Sequence, residues 1–96
     1  MKTRPPELTI DVSRISDDET LHEYLSKTLR FPGYYGFNWD AFWDCICSDE
    51  QSNMPIVLRI EGLTDLRRQA AWSANQLESC LNDYIAEFPD RSVVIV

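Results

Sequence analysis

Apolar and polar residues alternate from Glu7 to Val12, placing Leu8, Ile10 and Val12 on one side of an extended chain, and the pattern predicts a strand ending at Ser13. Ser16 with Glu19 three residues on reads as a capping box opening a first helix that runs to about Arg30. Leu21, Tyr24, Leu25, Thr28 and Leu29 form its apolar stripe, which leaves His22 on the flank as a surface position with no assigned role. Pro32, Gly33 and Gly36 break the periodicity, so residues 31–36 (FPGYYG) form a tight connector, and a second helix begins near Asn38 or Trp39. After the polar stretch SDEQSN, residues 55–60 (PIVLRI) predict a largely buried strand ended by Gly62.

Residues 63–72 read as helical, and Ser73 with Gln76 repeats the capping-box spacing, with Trp72 placed to staple against Leu77. A fourth helix from about Ala74 to Glu87 carries Leu77, Cys80, Leu81, Tyr84 and Phe88 on one side and stops before Pro89. SVVIV closes the chain as a third strand. Strands separated by helices need crossovers of a dozen or more residues, which predicts an α/β fold: a mostly parallel three-stranded sheet with about four helices. The chain shows no internal repeat, low-complexity run or dividing linker, so residues 1–96 are expected to form one domain, with only the extreme N-terminus loose.

Composition then narrows the function classes. Nine basic against 16 acidic residues give a formal charge of −7, which repels phosphate backbones and anionic membranes and attracts basic partners. Direct nucleic-acid binding is therefore not expected. No run approaches the ~18 apolar residues of a membrane span, and MKTRPPELTI is too polar for a secretory leader, so a cytoplasmic location is expected. Cys45, Cys47 and Cys80 lack the second cysteine or histidine pair that a zinc site requires, and read as free thiols in a reducing compartment. No metal or other cofactor is expected.

The chemistry concentrates in residues 31–46, FPGYYGFNWDAFWDCI, where seven aromatics and two aspartates share sixteen positions. With Trp39 at zero and about 100° per residue, Phe42, Cys45 and Ile46 fall on a core-facing arc. Asp40 and Asp44 lie at about 100° and 140°, one turn apart, with Trp43 at their edge. Like charges at this spacing cost a helix about 0.2 to 0.5 kcal/mol, so helix stability alone does not select the pair. Tyrosine, tryptophan and aspartate together match the composition of protein interfaces. Paired carboxylates also serve acid–base or magnesium chemistry, but the chain offers one histidine on another helix, no phosphate loop and no nucleophile elbow. No catalytic residue is assigned.

The residues YYGFNWDAFWDC, with the upstream FP and the downstream PIVLRI, resemble the barstar family of intracellular ribonuclease inhibitors. The resemblance extends to the order of elements over most of the chain, and implies a three-stranded parallel sheet with four helices. It also implies a protein that lays the connector and second helix across a ribonuclease active site, an aspartate standing where a substrate phosphate would sit. Carried onto this sequence, Tyr34, Gly36, Asn38, Trp39, Asp40, Trp43 and Asp44 become partner-binding residues, with Asp44 the phosphate mimic. The implied partner is a basic ribonuclease or ribonuclease-like toxin, bound one-to-one.

This sequence departs from the family pattern in three places. ICSDEQSNM follows the helix where the family has a shorter turn with another aromatic. Glu87 is the nearest candidate for the acidic contact the family places late in its last helix, although a gapless match lands on Ala86. Phe37 and Trp39 stand where smaller or polar residues are usual, which enlarges the apolar platform. The competing readings are a non-inhibitory interaction or regulatory module on the same scaffold, and a metal-assisted hydrolase using Asp40 and Asp44.

Overall fold

The structure, a computed structural model, describes residues 5–96; the expected loose N-terminus falls on residues 1–4, outside the described residues. Three strands, β1 (Glu7–Asp11), β2 (Val57–Glu61) and β3 (Ser92–Ile95), form one parallel sheet in the order β1-β2-β3. Four helices join them: α1 (Asp18–Thr28), α2 (Trp39–Ile46), α3 (Leu63–Gln69) and α4 (Ala71–Glu87). The register aligns Ile10 with Ile60 and Ile60 with Ile95. Ile10, Leu58 and Ile60 enter a core completed by Val12, Leu21, Leu25, Leu29, Phe42, Leu66, Leu77 and Tyr84. β2 is largely buried as expected, Leu58 and Ile60 fully and Val57 and Arg59 partly, with Glu61 exposed at its end.

The first cap shifts by one residue. Asp17, not Ser16, caps α1, its extended backbone letting Oδ1 accept the Thr20 amide at 2.6 Å. A carboxylate at this place also complements the helix dipole, which the Ser16 hydroxyl would not. α1 stops at Thr28 rather than Arg30, because Arg30 takes a left-handed φ of 59° and the Phe31 amide bonds back to the Ser26 carbonyl. This is the closing pattern of a Schellman turn, here without its usual glycine.

The second shift lies between α3 and α4. The chain breaks at Ala70 (φ −151°, ψ 71°), so α3 ends at Gln69 and α4 already includes Trp72 and Ser73. Ser73 is buried and donates its hydroxyl to Asp18 Oδ1 at 2.6 Å, so it caps nothing. Trp72 is 61% exposed and staples nothing. Gly62 does end β2, and for a steric reason: its φ is 80°, and a Cβ there would stand 2.4 Å from Ser13 Cβ.

Candidate functional site

α2 follows its predicted geometry. Asn38 caps it, Oδ1 accepting the Ala41 amide at 2.8 Å while Nδ2 donates to the Gly36 carbonyl at 3.1 Å. Both ends of the Asn38 side chain therefore hold the entry to α2. Gly36 is tight against this cap, since a Cβ there would sit 3.0 Å from Asn38 Nδ2. Trp39, Phe42, Cys45 and Ile46 face inward, and Asp40 and Asp44 are exposed one turn apart with the half-buried Trp43 beside them.

Trp39 is mainly a core residue, 8% exposed. Its ring packs 4.3 Å from His22 and 5.2 Å from Phe42, and its indole Nε1 donates to Asp18 Oδ1 at 3.1 Å. Only an edge of it contributes to the apolar platform expected from the sequence. Tyr34 is 75% exposed, and its hydroxyl accepts from Gln51 Nε2 at 2.9 Å, tying the connector to the polar segment after α2. Phe37, at a left-handed φ of 52°, is exposed and packs its ring 5.5 Å from Tyr35.

Beneath this face lies a polar node that sequence reasoning missed. Asp18 Oδ1 takes both the Trp39 indole and the Ser73 hydroxyl, joining α1 to α2 and α4. Asp18 Oδ2 lies 3.3 Å from His22 Nε2, close enough for its charge to act on the ring. His22 is completely buried, contrary to the flank position expected, because α2 and the connector cover that side of α1. Its Nδ1 lies 2.6 Å from the Tyr35 hydroxyl. The imidazole tautomer sets which of the two donates, and the phenol also donates to the Asn38 carbonyl at 3.5 Å. Burial lowers the His22 pKa, partly opposed by Asp18, and burial raises the Tyr35 phenol, so both are neutral at neutral pH.

An open groove of about 440 Å³ runs between α2 and α4, lined by Trp39, Asp40, Trp43 and Asp44 on one side and Gln76, Cys80 and Asp83 on the other. Gln76, Cys80, Asp83 and Glu87 recur at helical spacing along one stripe of α4. That recurrence was the available signal, obscured by the apolar stripe beside it. Glu87 is exposed in the last turn of α4, beyond the groove lining, and together with Asp44 it acts on Cys47.

No lysine, arginine or histidine occurs between Arg30 and Arg59 or between Arg68 and Arg91, so both walls are built from cation-free sequence. Among the described residues, the ion pairs join other groups: His22–Asp18, Lys27–Glu23, Arg67–Glu78, Arg68–Asp65 and Arg91–Asp90. Among the described residues, the exposed carboxylates of Asp40, Asp44 and Asp83 thus take part in none of these ion pairs.

The three cysteines are free, and burial together with nearby carboxylates raises each thiol above its ordinary value. Such thiols are weak nucleophiles and weak metal ligands. Among the described residues no group of three or more His, Cys, Asp or Glu is placed to hold a metal ion, and no helix is long and apolar enough to cross a membrane.

Comparison with known proteins adds two findings. A family model described as Barstar (barnase inhibitor) matches residues 6–96. The chain is also 38% identical over 52 residues to the "Putative ribonuclease inhibitor YrdF" of Bacillus subtilis (strain 168), a match covering 54% of this chain and 57% of that relative.

Proposed function

This chain belongs to the barstar family of barnase inhibitors, and we propose that it is a non-catalytic immunity protein that binds a basic ribonuclease or ribonuclease-like toxin one-to-one. In this reading residues 1–96 act as one domain in the cytoplasm, and α2 lies across the toxin's active site with Asp44, seconded by Asp40, in place of RNA phosphate. The observation that carries it is the pair of exposed α2 carboxylates beside Trp43, neither of them joined to a cation in the ion pairs among the described residues. An uncommitted carboxylate loses no internal ion pair on binding, so its interaction with a cationic cleft is spent on the complex. Tyr34 and Trp43 supply rigid contact area around it, Gly36 and Asn38 hold the entry to α2, and Glu87 extends the acidic edge.

Titration of barnase with wild-type and Asp44→Ala protein tests this. Removing the carboxylate leaves basic active-site groups buried without a counter-charge, and the expected loss is about 3 to 5 kcal/mol, or two to four orders of magnitude in Kd. Unchanged affinity would overturn the role given to Asp44. Co-purification of a partner without RNA-cleaving activity would favour a non-inhibitory interaction module instead.

A further inference from the structure

The face proposed to meet the toxin stands on a helix of eight residues entered through an irregular connector, so its geometry depends on what holds the start of α2. Resting on that reading, we infer that Asp18 of α1 is a positioning residue of this face. It acts through Trp39 and Ser73, fixing the starts of α2 and α4 to α1 on a single carboxylate oxygen.

Three observations converge on Asp18. Its Oδ1 accepts the Trp39 indole at 3.1 Å and the Ser73 hydroxyl at 2.6 Å, from residues 21 and 55 positions away in the chain. α4 opens at Ala70 without a side-chain cap, and Ser73 ties its first turn to α1 instead. The entry to α2 is strained, because Phe37 holds a left-handed φ of 52°, which an aromatic residue keeps only where its surroundings over-determine it. Asp18 reaches that entry by two routes. One is the Trp39 indole; the other runs from Oδ2 past His22 to the Tyr35 hydroxyl, which donates to the Asn38 carbonyl at 3.5 Å.

The consequence for binding is geometric. Trp39 and Gln76 line opposite walls of the α2–α4 groove, and Gln76 stands three residues along α4 from Ser73. One oxygen thus sets how far apart α2 and α4 stand at the end where both begin. A buried indole N–H needs an acceptor, and Asp18 supplies it without lining the groove itself. A recognition face whose supports are slack binds more weakly although the supports touch no ligand, because the cost of ordering it then falls on the binding step. The acceptor oxygen is what this role requires. Asparagine keeps it and alanine does not.

Two measurements test the assignment, and the first needs no partner. In isotope-labelled protein, Asp18→Ala is expected to speed exchange of the Trp39 indole N–H and of the α2 amides about five-fold or more, while Asp18→Asn stays close to wild type. If Asp18→Ala does not fold, Trp39→Phe and Ser73→Ala cut one link each, and faster exchange is expected in α2 for the first and in the first turn of α4 for the second. Wild-type exchange in these variants overturns the assignment. The second compares inhibition of barnase by wild type, Asp18→Asn, Asp18→Ala, Trp39→Phe and the double variant Asp18→Ala/Trp39→Phe, at a temperature where urea curves show each to be folded. A loss of about ten-fold in Asp18→Ala, recovery of most of it in Asp18→Asn, and a double-variant loss smaller than the two single losses combined support the inference. A residue serving stability alone would lower the urea midpoint and leave the affinity of the folded protein unchanged. That result, or an equal loss in Asp18→Asn and Asp18→Ala, sinks the inference and leaves the inhibitor reading standing. A wild-type protein that does not inhibit barnase counts against the inhibitor reading, and the exchange measurement then decides the role of Asp18 independently.

Discussion

His22 is a buried base whose ring is held between a phenol and a carboxylate, with Trp39 packed at a tilt against it. Desolvation is the largest influence and lowers its pKa; the Asp18 charge and contact pull the other way without overcoming it. The unfolded chain therefore takes up a proton near the ordinary histidine value of 6.5 while the folded protein still resists it. Stability from this group is at its full level above that value and falls as pH drops toward the lower folded pKa, with a slope of at most about 1.4 kcal/mol per pH unit for one proton. Asp11 and Asp17 titrate elsewhere. Hydrogen bonds from Ser13 and Thr20 hold these two carboxyls below 3.8, so their stabilisation is lost only in stronger acid. Urea midpoints measured at pH 7.5 and 5.5 should converge in His22→Gln and diverge in wild type; an equal pH dependence in the two proteins would remove His22 from this role.

Each element boundary records what local chemistry can and cannot specify. Gly62 is the most constrained junction, since the turn from β2 into α3 needs a left-handed backbone and Ser13 fills the space where a side chain would go. Gly62→Ala combines a strained φ with a clash against backbone atoms, so a loss of about 2 kcal/mol or more is expected in chemical denaturation. A loss under about 0.5 kcal/mol would mean that the β1–α1 connection can move aside. The glycine was readable as a strand terminator because few other residues adopt this conformation. The strand and helix order, the start of α2 near Asn38 and its inward arc were readable for a similar reason, as each follows from periodicity or a break in it. Ser73 was misread because a buried serine hydroxyl serves a distant carboxylate as well as it serves a helix end, and sequence spacing does not separate the two. His22 was misread for lack of information about what covers α1. Of the groove lining, the exposed placement of Asp40 and Asp44 on α2 was legible and Asp83 was not, since its relation to Asp40 exists only once α4 packs beside α2.

At the scale of the molecule, the charges are sorted. Ion pairs occur on α1, on α3, between α3 and α4 and beside β3, while α2 carries Asp40 and Asp44 with no basic residue. Part of the net charge of −7 thus stands on the face proposed to meet the toxin. Such a field accelerates encounter with a basic partner and is screened over about 10 Å at 0.1 M salt and about 3 Å at 1 M. Electrostatic steering is a known property of the barnase–barstar pair, so the test is whether this chain keeps it on α2. Stopped-flow association followed by tryptophan fluorescence should slow about ten-fold or more from ~0.01 M to ~0.5 M salt, with dissociation changing far less. The double variant Asp40→Asn/Asp44→Asn should flatten that dependence more than Glu19→Gln/Glu61→Gln, which removes the same charge from α1 and β2. Equal flattening by the two variants would assign the steering to net charge alone and take from α2 its part in the encounter.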